Sequence, residues 1–440
     1  MNCQKLRMIR SLTAAVALLA GTGLVQCADY FIHSFQKIQL TPHFWAEGAN
    51  FGDFNHDGKM DIVYGPFWWE GPEFKVRHEY APAVETFKHK KSDGSEEVIP
   101  GFEGALGVNN AYSQNFLTFT YDLNGDGWTD ILVLGFPGAE SFWYENPKGR
   151  DGHWQRHVAI AVTDNESPTF TDITGDGKPE IVCNSEGYFG YASPDWNEPT
   201  KPWTFHRISP KGDWQRFTHG LGVGDVNNDG RKDLLEKDGW WEQPPTLAGD
   251  PVWTFHPFQF SAAGSSTMFA FDVNGDGVND VVSCLAAHGY GLAWFEHTKA
   301  NGQDTFLPHV FMNKEPSENK YGVHFSQLHS IAVADMDGDG IPDIITGKRF
   351  WAHGSQGDVE PNAPAVLYWF KTVRGPKGEV DFIPYLIDAD SGVGTQVVVG
   401  DVNGDKLPDV VVGCKKGAYV FLHQIKRASK EEWDKVQPKP

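Results

Sequence analysis

The feature that most constrains this chain is a nine-residue acidic segment, Asp335-Met336-Asp337-Gly338-Asp339-Gly340-Ile341-Pro342-Asp343. Carboxylates fall at its positions 1, 3, 5 and 9, and Gly occupies position 6. Alternate side-chain oxygens on one tight turn converge on a small sphere, as a hard divalent cation requires, and Gly permits the sharp bend. Six further copies begin at Asp53, Asp122, Asp172, Asp225, Asp272 and Asp401. Their third positions are Asn55, Asn124, Thr174, Asn227, Asn274 and Asn403. Their fifth are Asp57, Asp126, Asp176, Asp229, Asp276 and Asp405, and their ninth Asp61, Asp130, Glu180, Asp233, Asp280 and Asp409. Asp, Asn and Gly make turns in any β-rich chain, so one copy would carry little weight. Seven copies with carboxylates at positions 1, 5 and 9 predict metal binding. The oxygen ligands favour calcium in a structural role, up to seven ions, one per loop.

The pattern is similar to the first part of an EF-hand calcium loop, but the apolar run Ile344-Ile345 after it reads as a strand. Each loop is therefore expected to join two strands. The copy at Asp401 has Lys406 in the Gly position, which is expected to weaken or empty that site.

Successive first aspartates are 69, 50, 53, 47, 63 and 66 residues apart. Periods near 50 in a chain rich in Gly and Trp predict propeller blades. One unit reads as a strand over 221–224, the acidic turn, a strand at Leu234-Leu235, a third at Trp240-Trp241-Glu242 and a fourth at Trp253-Thr254-Phe255-His256. The third strand recurs as Trp68-Trp69-Glu70, Trp143-Tyr144-Glu145, Trp294-Phe295-Glu296 and Tyr368-Trp369-Phe370. The expected fold is all-β, a seven-bladed β-propeller with calcium-binding loops between strands 1 and 2 of each blade. The last unit lacks a fourth strand, which Tyr30 to Leu40 could supply, closing the ring and removing exposed sheet edges.

On these repeats the chain resembles FG-GAP/VCBS repeat proteins, the calcium-loop propeller type also found in integrin α chains. A weaker likeness, at the level of the repeat only, is to the propeller of aldos-2-ulose dehydratases, which dehydrate keto-sugars. The resemblance implies the fold; it implies little about function, because propellers host binding and catalysis alike.

Residues 1–27 read as a signal peptide, with Lys5, Arg7 and Arg10 before an apolar core and cleavage expected before Ala28. Export to the periplasm or beyond follows. Lipidation of Cys27 is the lesser reading, because Gln26 is unusual before such a cysteine. The propeller is expected over 28–423 and a short C-terminal helix or tail over 424–440, with Ser429 and Glu432 as a capping box. No other stretch is long and apolar enough to span a bilayer. Cys183, Cys284 and Cys414 follow non-adjacent loops and read as buried strand residues rather than disulfide partners. The formal charge of −21 resides largely in the 22 loop carboxylates, and the absence of a basic stripe argues against nucleic acid.

Function is expected at the mouth opposite the acidic loops. An inner strand of about six residues rises ~20 Å, so residues six before each first Asp should ring that mouth: Glu47, Phe116, Glu166, His219, Ser266, His329 and Thr395. Turns from strand 2 to strand 3 reach the same face and bring Lys237, His288, Lys348, Arg349, His353 and Lys415. With His324, these basic groups suit an anionic or enolising substrate. The candidate catalytic residues are His219, His329, Lys348, Arg349, His324, His353, Lys237 and His288. His219 or His329 would serve as base, and Lys348, Arg349 or Lys237 would stabilise an oxyanion. A second metal at a His site, with His324 and His353 as its pair, is a further expectation. His157, His206 and His256 recur at one blade position and read as structural, while Trp45, Trp214 and Trp351 could stack on a sugar.

The expected function is an exported calcium-binding propeller acting on carbohydrate by β-elimination on a keto-sugar or uronate, of the lyase or dehydratase type. The alternative is a non-catalytic propeller that binds glycan or protein. A hydrolase built on Glu47 and Glu166 comes third. The expected partner is a carbohydrate or other small molecule, with a protein partner left open.

Overall fold

A computed structural model describes residues 30–83, 86–100, 110–300 and 302–440, so the signal-peptide reading of 1–27 lies outside the described residues. The all-β expectation holds. In the unit around Asp225, strands Leu221–Gly224, Asp233–Glu236, Gly239–Glu242 and Thr254–Pro257 pair antiparallel in order. The same four-strand meander occurs seven times among the described residues. Strand Gln155–Thr171 serves two of these units, pairing first with Ala139–Glu145 and then with Glu180–Ser185. A separate hairpin, Thr86–Lys90 with Glu96–Pro100, lies in the longest interval between loops.

First strands of neighbouring units lie side by side. Leu221–Gly224 pairs in parallel with Thr267–Phe271, and Ala49–Gly52 touches both Leu117–Tyr121 and Val397–Gly400. The first unit thus meets the last. Apolar residues between units form continuous cores: Ile62, Tyr64 and Phe67 of the first pack with Val411 and Val420 of the last. Each such fully buried side chain contributes about 1.5–3 kcal/mol.

The final meander takes its outer strand from the other end of the sequence. Tyr30–Thr41 pairs antiparallel with Gly417–Ala428, from Tyr30 opposite Ala428 to Thr41 opposite Ala418. That strand runs past the expected boundary at 423 because the added partner supplies backbone bonds to its end. Helix Lys430–Val436 follows, with Ser429 and Glu432 forming the expected capping box.

The third and fourth strands are stapled by a repeated trio. His78, His256 and His309 stack on Trp68, Trp240 and Trp294 at 4.0–4.3 Å between ring centres. Each imidazole also meets a carboxylate, Glu70, Glu242 or Glu296, at 2.7–2.8 Å. Of the histidines read as structural, His256 belongs to this trio, His157 meets Glu145 at 3.0 Å and His206 meets Asp250 at 2.7 Å. Cys183, Cys284 and Cys414 are buried and free.

The acidic turns share one backbone pattern. In the first, Asp53 accepts the amides of Asp57 at 3.0 Å and Gly58 at 2.9 Å. The ninth residue, Asp61, is fully buried and accepts from Phe54 and Gly71, both at 2.9 Å. Asp343 does the same for Met336 and Thr372, at 3.0 and 2.8 Å. The ninth carboxylate thus ties the turn to the end of the third strand. Burial, helped by the neighbouring carboxylates, pushes Asp61 up to about 6 and Asp343 to about 7 against the amide bonds. Lys406 keeps the turn despite lacking glycine's freedom: its φ is +72° and its amide donates to Asp401 at 2.9 Å.

Candidate active site

Because each acidic turn follows the C-terminal end of a first strand, the start of that strand lies at the opposite end of its unit. The residues gathered there come from every unit. Glu47, Phe116, Ser266, His329 and Thr395 are buried, and Glu166 and His219 are half-buried. Thr395 Oγ1 donates to the Phe116 carbonyl at 2.6 Å and its amide donates to the Glu47 carbonyl at 3.0 Å, which links three units. Three of the residues six before a loop, Glu47, Phe116 and Thr395, are thereby tied to one another.

Arg349, 2% exposed, lies at its centre. Its Nη2 is 3.2 Å from Glu47 Oε2 and its Nη1 is 3.6 Å from Glu166 Oε2. Lys415 adds a second cation, 3.4 Å from the other oxygen of Glu47. A buried and a half-buried carboxylate thus face two buried cations, which is how charge survives in such a place. His219 Nε2 is 3.4 Å from Glu166 Oε2. The His219, His288 and His329 rings follow, with centres 4.7 Å apart for the first pair and 4.3 Å for the second. His219 and His329 are 6.0 Å apart. Gln327, itself at φ +67°, fixes the group by donating to the His288 carbonyl at 2.8 Å and accepting from the amides of His329 and Arg349 at 3.0 and 2.9 Å.

Electrostatics follow from this packing. Burial pushes the Glu166 carboxyl upward, but the His219 contact and the charges of His219 and Arg349 outweigh it and hold the group at about 2. Burial, then the charge of His219, lowers His288 to about 4. Burial and the charge of Arg349 put His329 well below the usual imidazole range. Tyr112 is pushed up to about 12 by burial, against the pull of Arg349.

A cavity of about 320 Å³ opens on this group. One wall is aromatic: Tyr112, Phe116 and Phe217 each contact Phe136, with ring centres 5.3–5.9 Å apart. The other wall holds Glu166, His219, His288, Arg349 and His353. His353 is oriented by Asp358, whose Oδ1 is 3.2 Å from the ring Nδ1 and also accepts the His353 amide at 2.8 Å. Burial pushes Asp358 up, but its bonds from His353 and Ala352 prevail and keep it below the ordinary carboxylate range.

Five of the expected catalytic residues thus meet: His219, His288, His329, Arg349 and His353. Three do not. His324 is exposed and does not line the cavity. Lys348 donates to Ser326 Oγ at 2.7 Å and to the Val359 carbonyl at 3.2 Å, outside the cavity lining. Lys237 is engaged by Asp238. Trp45 and Trp351 are buried, and Trp214 packs on Phe189, so none of the three tryptophans supplies the cavity's aromatic wall. That wall comes instead from Tyr112, Phe136 and Phe217, which stand in segments without a repeat signal; the same holds for Asp358.

The family profile described as FG-GAP-like repeat matches residues 122–183 and 272–346, which contain four of the acidic loops. The bovine (Bos taurus) phosphatidylinositol-glycan-specific phospholipase D is 26% identical over 184 residues, 39% of this chain and 21% of that protein. The chain therefore spans about a fifth of the length of that curated relative. Among solved structures, a lectin of Agrocybe aegerita that recognises non-reducing terminal N-acetylglucosamine is 17% identical, with TM-score 0.44 and 90% and 86% of the two chains covered. A rhamnogalacturonan lyase of Bacillus licheniformis is 13% identical, with TM-score 0.37 and coverage of 89% and 71%. At these TM-scores the likenesses carry no argument about function.

Proposed function

We propose that this chain, which carries FG-GAP-like repeats, is an exported, calcium-clamped seven-bladed β-propeller that acts on carbohydrate by β-elimination in the cavity around Arg349. The observation that supports it is an aromatic wall facing half-buried His and Glu side chains and the buried Arg349, with an Asp-oriented His at its edge. Aromatic faces take the apolar side of a sugar ring, and the polar wall offers a base and positive charge.

The base is His353. The ionised Asp358 accepts only, so the His353 Nδ1 carries the hydrogen and Nε2 the lone pair. Nε2 takes the proton α to a carbonyl or carboxylate, and the C–H pair delocalises onto the carbonyl oxygen as an enolate. Arg349 stabilises that charge. The enolate then collapses, a carbon–carbon double bond forms, and the β-oxygen departs with its bonding pair. The proton on His353 passes to it, so water or an alcohol leaves and the base is restored.

Calcium would be held at the acidic turns by their carboxylates and carbonyls. Ligand oxygens of Asp335, Asp337 and Asp339 lie within 4.8 Å of one another, as do those of Asp172, Asp176 and Glu180. Lys371 reaches Asp337 and stands 2.9 Å from Asp339, an ammonium drawn to the same convergence of charge. Each ion would cross-link a turn between two strands and leave the far mouth free.

The test is incubation with keto-sugars and uronate oligomers, reading absorbance from a new conjugated double bond. Turnover lost in His353→Asn supports the reading. Glycan affinity without turnover in the wild type overturns it in favour of a binding propeller. For the clamps, chelation should lower the melting temperature and calcium restore it; an unchanged melt refutes them.

A further inference from the structure

We infer that Glu166, His219, His288 and His329 bind one transition-metal ion of the Zn2+ class at the floor of the cavity, distinct from the calcium turns. One ligand atom from each residue lies within 4.8 Å of the other three. Two ligands about 2.1 Å from a tetrahedral metal are roughly 3.4 Å apart, and His219 Nε2 and Glu166 Oε2 stand 3.4 Å apart. The remaining ligands need only side-chain shifts of about an ångström to complete the set.

The protonation pattern points the same way. His219 Nδ1 is 2.8 Å from the Phe217 carbonyl, which only accepts, so that nitrogen carries the hydrogen. Its Nε2 faces a carboxylate oxygen at 3.4 Å, and without a proton or a metal ion between them two acceptors would meet. His219 Nε2, His288 Nδ1 and both ring nitrogens of His329 are buried with no hydrogen-bond partner, and His329 is 3% exposed. A buried polar atom left unpaired costs about 1–3 kcal/mol. One proton could serve the His219–Glu166 contact. It could not serve three imidazoles that converge beside the Arg349 guanidinium. A single divalent ion would take one nitrogen from each of the three imidazoles and one oxygen of Glu166.

The donors choose the metal. Three imidazoles and a carboxylate suit Zn2+, Co2+ or Fe2+, whereas the oxygen-only turns suit Ca2+. The outer contacts are those of a metal centre: the Phe217 carbonyl fixes the His219 tautomer and Gln327 holds the His288 backbone. His288 also lies near His353 and Asp358, but Asp358 already orients His353, so that His is placed outside the set. The site stands on this geometry alone. Its chemical consequence, Lewis-acid help to the enolate, rests on the elimination reading above.

The test uses the whole exported chain, saturated with Ca2+ to fill the turns, stripped of transition metal and titrated with Co2+. One equivalent should bind and give visible d–d absorption of a nitrogen-ligated, four- or five-coordinate ion, and Zn2+ should displace it. His288→Ala and His329→Ala should each weaken binding at least 100-fold, while His353→Ala leaves it unchanged. A calcium-dependent melt shows which variants are folded; if His329→Ala is not, His288→Ala, nearer the surface, decides. No Co2+ bound, an octahedral all-oxygen spectrum, or affinity indifferent to His288 overturns the site. Elimination by metal-free protein also overturns the metal's part in catalysis and spares the enzyme reading. A stoichiometric His-ligated ion without turnover upholds the site and sinks the enzyme reading.

Discussion

Replacing Arg349 by Met should test whether the buried charges hold the floor of the cavity together. The guanidinium is 2% exposed and Glu47 1%, and they are 3.2 Å apart. At an effective dielectric of about 20, a pair at that distance attracts by roughly 5 kcal/mol. Loss of Arg349 leaves Glu47 to Lys415, 3.4 Å away, and Glu166 to His219 at the same distance. Breaking one side of a buried pair costs about 3–5 kcal/mol, since the survivor keeps its desolvation penalty. A 440-residue chain has an unfolding entropy near 0.9 kcal/mol/K at ~2.1 cal/mol/K per residue, so ~4 kcal/mol lowers Tm by roughly 4 °C. Urea unfolding and calorimetry in saturating calcium would measure it. Adding Glu47→Gln should depart from additivity by about 0.5–3 kcal/mol, because Arg349 and Glu47 belong to one buried network. A loss under about 0.5 kcal/mol, or strictly additive variants, would refute the reasoning.

Three further outcomes follow from the geometry. Lys406→Gly should stabilise the last turn by about 1–2 kcal/mol, because Lys406 sits at φ +72° where a side chain is penalised; a calcium titration and melt would show it, and a lower Tm would contradict it. Asp358→Asn should cut elimination by 10²- to 10⁴-fold, since the amide cannot hold His353 in the basic tautomer; activity within about twofold of wild type would exclude this dyad. Burial lowers Lys348 and Lys415 to about 8, with Asp358 and Glu360 opposing it for the first and chiefly Glu47 for the second. The unfolded chain then binds more protons between about pH 8 and 10.5, so these lysines make stability rise with pH there. Lys348→Met should flatten that rise by up to ~1.4 kcal/mol per pH unit; a steeper rise in the variant would reverse the sign.

The sequence was most legible where a physical constraint repeats. Seven copies of one turn marked where first strands end, and a strand's fixed rise then located Glu47, Glu166, His219 and His329 at the other end. Trp and His at fixed positions of the repeated unit were legible as packing for the same reason. Direction within irregular segments was not legible. Lys348 and Arg349 are adjacent, yet one turns to Ser326 and the other to Glu47. Tyr112 and Asp358 enter through non-repeating connections, where no periodicity says which way a side chain faces. His324 is exposed and His329 buried, with the left-handed Gln327 between them, and that conformation has no sequence signature in glutamine.

The pairing of Tyr30–Thr41 with Gly417–Ala428 sets a clock on biosynthesis. His33 meets His423 across 390 residues. At about 5–20 residues per second a ribosome needs roughly 20–80 s to deliver the second strand after the first. Until then Tyr30–Thr41 waits as a sticky ribbon, so whatever shields nascent chains must guard that early segment longer than any other.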